Sequence, residues 1–328
     1  MPDNGAMHTL ITFAAPPGPQ CRDALNRLEL PYLGQLLAAL SPTRQWHATA
    51  SDLTPIAERV QAQAAGLDGA DGLIPWAADE ARQRGLTGLH GTKGWAWVTP
   101  CHWTIHSDHV EMTDPVHLAL TPHDADQLLQ AMQPFFAEDG ISLFAPAQGQ
   151  THSRWLAHGA VFVDLPTASL DRVCGQSVDA WMPRQEQAKT LRRLQNEMQM
   201  LLYTHAVNDQ RAHFKLPAVN AFWVSGTGTP DEAWHPQTTP TLSLRDALRT
   251  PALQDDAAAW VTAWHALDNS TLAHDVQRLQ TGEALQLTLC SDTQAVTLTR
   301  QPLTLWQRLQ RRITPQSPRE FLTSLCTS

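Results

Sequence analysis

Apolar positions recur along this chain in two rhythms, one suited to strands and one to helices. "HTLITFAA", 8 to 15, is a β-branched apolar run broken by "PPGPQ", which predicts a buried first strand ending in a loop. In "LPYLGQLLAALS", 30 to 41, Leu33, Leu36, Leu37 and Leu40 fall at helical spacing, and Pro31 suits a first turn. "TPIAERVQAQAAGL", 54 to 67, predicts a second helix with Thr54 as N-cap and Gly66 as its stop. "PWAADEARQRG" predicts a short helix stopped by Gly85. "GWAWVTPCHWTI", 94 to 105, is aromatic and β-branched, so it reads as a strand pair or as one long strand kinked at Pro100.

Further along, "TPHDADQLLQAMQPFFAEDG", 121 to 140, predicts a helix capped by Thr121 and stopped by Gly140. Strands follow at "ISLFAP" and "RWLAHGAVFVDL". The segment 183 to 209 predicts one long helix, striped by Leu191, Leu194, Met198, Leu201 and Leu202. "VNAFWVSGTG", 219 to 228, reads as a strand running into a glycine turn. "DDAAAWVTAWHALDNSTLAHDVQRLQTG" is helical, "ALQLTLCSD" is a buried strand, and "TLWQRLQRR" is a closing helix. Strands and helices alternate at both ends, whereas the middle reads as a small α+β unit.

Composition narrows the function classes. A length of 328 residues allows one large or two smaller domains. A net charge of -9 with no dense Lys/Arg run argues against a nucleic-acid binder, since phosphate attraction needs clustered cations. The five cysteines are dispersed, with no CxxC pair, which suits a reduced compartment. No run approaches a membrane span and no basic leader precedes the first apolar run, so a cytoplasmic protein without membrane or nucleic-acid partners is expected. Twelve tryptophans against two tyrosines are read mostly as core or pocket walls.

Candidate chemistry concentrates in "TPCHWTIHSDHVEM", 99 to 112, which holds Cys101, His102, His106, Asp108, His109 and Glu111. On an extended strand, His102, His106 and Asp108 share one face, while His109 and Glu111 take the other. Three ligands so spaced are too far apart for one ion. A turn at "HSD" would bring His106, Asp108 and His109 together. A hydrogen-bonded strand, a metal site and acid–base catalysis through His102 all remain open. "VSGTG" lacks the lysine and spacing of a phosphate loop and reads as a backbone turn. Cys101 and Cys290 are expected to be buried thiols.

At "LLYTHAVNDQRAHFKLPAVNAFWVSGTG", 201 to 228, the chain resembles the archaeal-type, cofactor-independent phosphoglycerate mutases through His205, Val207, Asn208, Arg211, Pro217, Asn220, Gly226 and Gly228. "PCHW", "TASLDRV" and "LTLC" are similar to a bacterial branch of RpfE-type regulatory proteins. The resemblance implies an α/β fold: an alkaline-phosphatase-like core sheet over 1-111 and 223-328, with an inserted α+β substrate-binding domain at 112-222. It also implies two divalent metals, manganese or zinc, held at strand ends beside a serine nucleophile, for which Ser51 in "ATASDLTP" is the candidate. At the implied ligand positions, however, the first strand ends in Ala14 and Ala15, and the late strand in Cys290, Ser291 and Asp292.

The expectation is therefore a non-catalytic, regulatory or ligand-binding protein without a cofactor. Arg154, His205, Asn208, Arg211 and Asn220 would form an anion-binding interdomain cleft for a small phosphorylated or carboxylated ligand. One rival is a metal-dependent phosphoglycerate mutase or phosphohydrolase with a relocated site around His102, His106, Asp108 and His109. Another is a scaffold for a protein partner, presenting an exposed patch that contains tryptophan.

Overall fold

The computed structural model describes residues 7–86, 93–147, 153–229, 242–301 and 316–326. The chain is mixed α/β and divides into two compact units. Unit 1 comprises Met1–Ser51, Pro55–Gly66 and Pro236–Ser328, and unit 2 comprises Asp52–Thr54 and Leu67–His235.

Unit 1 holds a five-stranded sheet of β1 (Met7–Ile11), β2 (Ser41–His47), β8 (Leu242–Arg245), β9 (Leu285–Cys290) and β10 (Gln294–Thr299), in the order β2-β10-β9-β1-β8. β1 runs parallel to both β8 and β9, and β10 lies antiparallel to β9 and β2. The helices of this unit are α1 (Pro19–Ala24), α2 (Pro31–Ala39), α3 (Ile56–Ala64), α9 (Arg249–Leu253), α10 (Ala257–Leu267), α11 (Ala273–Gln280) and α12 (Pro318–Ser324). Because strand side chains alternate, the sheet feeds two cores. Ile11, Leu287 and Leu289 pack with Leu33, Leu36 and Leu37 of α2 and with Trp260 and Trp264 of α10. Leu10, Cys290 and Ala295 pack with Ile56, Ala57 and Val60 of α3.

Unit 2 is built on β3 (Gly94–Ile105), β4 (Val110–Thr113), β5 (Ser142–Phe144), β6 (Trp155–Gly159) and β7 (Ala221–Gly228), with α4 (Trp76–Gln83), α5 (Pro122–Glu138), α6 (Leu170–Val173), α7 (Lys189–Tyr203) and α8 (Ala206–His213). β3 is one strand of 12 residues rather than a pair. It pairs with β6 over Gly94–Val98, with β7 over Trp95–Cys101 and with β4 over its last four residues, all antiparallel. This explains why the division falls at Leu67–His235 and not at the expected 112-222. β3 and most of β7, both assigned by sequence to the core, are hydrogen-bonded to each other, and β3 also pairs with β6 of the expected insertion, so all three strands share one sheet.

Several local expectations change for physical reasons. Thr54 does not cap α3; Pro55 occupies the N-cap, and the Thr54 hydroxyl accepts the Gly72 N–H at 2.8 Å. The single helix expected at 183 to 209 is two, because His205 breaks it and caps α8 by accepting the Val207 N–H on Nδ1 at 3.3 Å. The strand at "RWLAHGAVFVDL" stops at Gly159 and continues as a 3-10 turn, Ala160–Phe162. The glycine turn of "VSGTG" lies inside β7. Gly226 has φ 68, and a Cβ there would come within 2.6 Å of the Trp97 ring. The register shifts between Trp95 and Trp97 opposite this point, as a bulge requires. The predicted closing helix at 304 to 312 lies outside the described residues. Among the described residues, no helix is long and apolar enough to cross a membrane.

Candidate functional site

A two-metal centre of the kind the resemblance implies would stand at the ends of β1 and β9. The chain turns after β1 through Phe13 at φ 54, and Ala14 and Ala15 follow, both fully buried. The Ala14 N–H donates to the Cys290 carbonyl at 2.7 Å. Two indoles close this end: Trp260 Nε1 donates to the Phe13 carbonyl at 3.2 Å and Trp264 Nε1 to the Ala14 carbonyl at 3.3 Å. Cys290 is fully buried, and burial pushes its thiol well above its ordinary value, so it does not offer a thiolate near neutral pH. Ser291 folds onto the backbone of Gln294, accepting its N–H at 2.9 Å.

Acidic residues of the following helices are occupied as well. Asp268 accepts the N–H groups of Tyr32 and Leu33 at 3.2 and 2.8 Å, which fastens the start of α2. Asp275 accepts the Thr9 hydroxyl at 2.9 Å, and burial raises its carboxyl above the ordinary value. Ala14 and Ala15 cannot ligate, Cys290 offers no thiolate, and the carboxylates of Asp268 and Asp275 are already hydrogen-bonded, which is a poor set for a pair of divalent ions. Ser51, the candidate nucleophile, is exposed and exchanges a hydrogen bond of 2.9 Å with the Thr49 hydroxyl.

The five expected anion ligands lie in unit 2, and most of their polar atoms face inward. Arg211 is 1% exposed. It donates to the Pro217 carbonyl (2.8 Å), to the Asp124 carboxylate (3.1 Å) and to the Leu118 carbonyl. Asn208 donates to the carbonyls of Leu202 and Val219 at 2.7 and 2.8 Å and accepts the Val219 N–H at 2.8 Å. Asn220 accepts the Trp103 N–H at 2.7 Å and donates to the Trp103 carbonyl at 2.9 Å. Arg154 lies 3.7 Å over the Trp97 ring and donates to Glu80 at 3.3 Å. These side chains brace the ends of α7, α8 and β3. Arg211, Asn208 and Asn220 are thus engaged mainly with backbone groups, and Arg154 stands apart from them against Trp97 and Glu80.

His102 has the same character: its Nδ1 donates to the Ala218 carbonyl at 2.7 Å. Cys101, directly before it, is fully buried, and burial raises its thiol.

The hairpin joining β3 and β4 is different. Ile105 pairs with Val110 and Thr104 with Glu111, and the His106 N–H donates to the His109 carbonyl at 2.9 Å. Only Ser107 and Asp108 remain to make the turn, so the chain reverses after His106. That reversal places His106, His109 and Glu111 on one face, where an extended strand would have split them. The two imidazoles stack with centroids 4.6 Å apart and an interplanar angle of 13°. Glu111 Oε2 lies 3.6 Å from His106 Nε2 and 3.9 Å from His109 Nε2. Behind them, His109 Nδ1 meets Asp108 Oδ1 at 2.8 Å, and this hydrogen bond holds the Asp108 carboxyl below its ordinary value.

The three ligand atoms all lie within 4.8 Å of one another, and among the described residues this is the one such group of His, Cys, Asp or Glu. The turn brings His106, Asp108 and His109 together as expected at "HSD", and it adds Glu111, expected on the strand face of His109 but not in this group. The signal was present in the two-residue spacing between the histidines, which is a hairpin spacing.

No protein-family model matches the chain, and no curated protein sequence matches it. Two solved structures are similar over nearly their full lengths. The cofactor-independent phosphoglycerate mutase from Thermoplasma acidophilum DSM 1728 shares 12% identity, with 92% of this chain and 91% of that one covered and a TM-score of 0.34. The PH0037 protein from Pyrococcus horikoshii shares 10% identity, with 99% of each chain covered and a TM-score of 0.38. Both are remote likenesses of overall fold and carry nothing about activity.

Proposed function

We propose that this chain is a non-catalytic protein on an alkaline-phosphatase-like, phosphoglycerate-mutase-like scaffold, with a regulatory or binding role in place of phosphoryl transfer. The resemblance of 201 to 228 supports the scaffold, together with a unit inserted between two halves of an α/β sheet. One observation supports the loss of chemistry: the turn after β1 carries Ala14 and Ala15, whose surroundings are closed by the indoles of Trp260 and Trp264. Two metals of this kind each contribute several kcal/mol to stabilising a transferring phosphoryl group, and alanine holds neither. The test is incubation of the full chain with 3-phosphoglycerate and manganese or zinc, followed by a coupled assay for 2-phosphoglycerate. The expected result is no conversion above the protein-free control; metal-dependent turnover overturns the reading.

A second reading, a single-metal phosphohydrolase, is favoured by the His106, His109 and Glu111 group alone, since two histidines and a glutamate leave a coordination position open. It requires zinc-dependent hydrolysis of p-nitrophenyl phosphate that disappears in His106→Ala. As for a protein-interaction scaffold, every tryptophan among the described residues is buried or half-buried. Exposed apolar side chains do occur at Met200, Tyr203 and Phe214.

A further inference from the structure

We propose that the turn between β3 and β4 is a binding site for one divalent transition-metal cation of the zinc class, held by Nε2 of His106, Nε2 of His109 and the Glu111 carboxylate, with Asp108 as the positioning residue behind His109.

Donor chemistry, spacing and support each point the same way. Two imidazoles and one carboxylate form a nitrogen–oxygen set suited to zinc and its neighbours, whereas magnesium and calcium prefer oxygen alone. Ligand atoms around a tetrahedral ion with bonds of about 2.0 Å stand roughly 3.3 Å apart. The separations here, 3.6 and 3.9 Å from Glu111 to the two rings, exceed that by well under an ångström, which small side-chain rotations close. The two rings lie beside each other with both Nε2 atoms near the same carboxylate, and each ring must tilt out of the stack to aim its in-plane lone pair at a shared ion.

Asp108 supplies what a ligating histidine needs from behind. By accepting from Nδ1 of His109 it assigns the proton to that nitrogen and leaves the Nε2 lone pair toward Glu111. The hairpin is also held along both edges. β3 supports β4 on one side; on the other, the Gly175 N–H donates to the Met112 carbonyl at 2.8 Å, and Glu111 bridges to Ser177. Asn220 fastens Trp103 just before the turn. The three ligand side chains are between about a third and two fifths exposed, so an ion reaches them without unfolding.

The site stands on the hairpin and is independent of whether the sheet of unit 1 retains any catalysis. Its test is zinc titration of the untagged full chain by isothermal calorimetry, beside His106→Ala/His109→Ala and Asp108→Asn. Native circular dichroism of each variant confirms that it folds. One zinc per chain is expected, lost in the double variant and weakened by about tenfold or more in Asp108→Asn. In cobalt(II) titrations the same pattern should appear as the visible absorption of a low-coordinate site. Zinc binding that is equal in the wild type and the double variant, or no binding by the wild type, overturns the proposal.

Discussion

Arg211 and His8 show how far single side chains are committed to holding this molecule together. Arg211 is buried against Asp124 and two carbonyls. Arg211→Ala therefore leaves a carboxylate with little solvent and no guanidinium, and should cost about 3–5 kcal/mol in urea unfolding. An anion-clamp role would instead leave stability nearly unchanged. His8 shares a 2.7 Å hydrogen bond with Thr288, and burial lowers its pKa to about 4 from 6.5. A base whose folded pKa is depressed binds more protons when unfolded, so its contribution is complete above pH 6.5 and is lost as pH falls toward about 4. His8→Gln should flatten that part of the stability–pH curve by an amount on the order of 3 kcal/mol, because each pKa unit corresponds to about 1.4 kcal/mol. Equal slopes in wild type and variant would refute the burial argument. The thiols follow the same logic. Cys21, Cys101, Cys174 and Cys290 are buried, and burial pushes Cys21 up to about 12, so Cys326, half-buried, should be the first to react with a disulfide reagent in native protein.

Elements were legible where their signals are local. α5 starts at Thr121 with a full capping box, in which the Asp124 N–H donates to the Thr121 hydroxyl at 3.1 Å and the Asp124 carboxylate accepts the Thr121 N–H. Thr121→Ala should lower stability by about 1 kcal/mol, measured by thermal or urea unfolding. By contrast, β2 is nearly all polar and exposed along "SPTRQWH", so no apolar alternation announces it; pairing with β10 creates it. The break between α7 and α8 was equally hidden, because a histidine acting as N-cap lies outside the Ser/Thr/Asp/Asn signal. The glycines of β7 were visible as residues, but their reason was not: the Trp97 ring occupies the space a Cβ would need. Gly226→Ala should accordingly destabilise by more than the roughly 1 kcal/mol of an ordinary helix or strand substitution, since crowding adds to the positive φ. The β3–β4 turn falls between these cases. Its histidines were readable from "HSDH", whereas the part played by Glu111 depends on the strand register beyond the turn.

At the scale of the whole chain, the sequence conveyed an α/β protein with an inserted middle, because strand-like and helix-like rhythms alternate only toward the two ends. The compact units divide elsewhere than the 112-222 expected, since β3 reads like any buried strand until its pairing with β6 is known. The sequence also placed Ala14 and Ala15 just after β1, although not the indoles of Trp260 and Trp264 that close over them. Under the proposals above, a cation would be held by the hairpin of unit 2 and not at the sheet of unit 1. Metal stoichiometry tests this most directly: the wild type and His106→Ala/His109→Ala are each dialysed with manganese and zinc together, and bound metal is counted per chain by elemental analysis. The account predicts one zinc in the wild type and none in the variant. Two ions per chain that persist in the variant would contradict it.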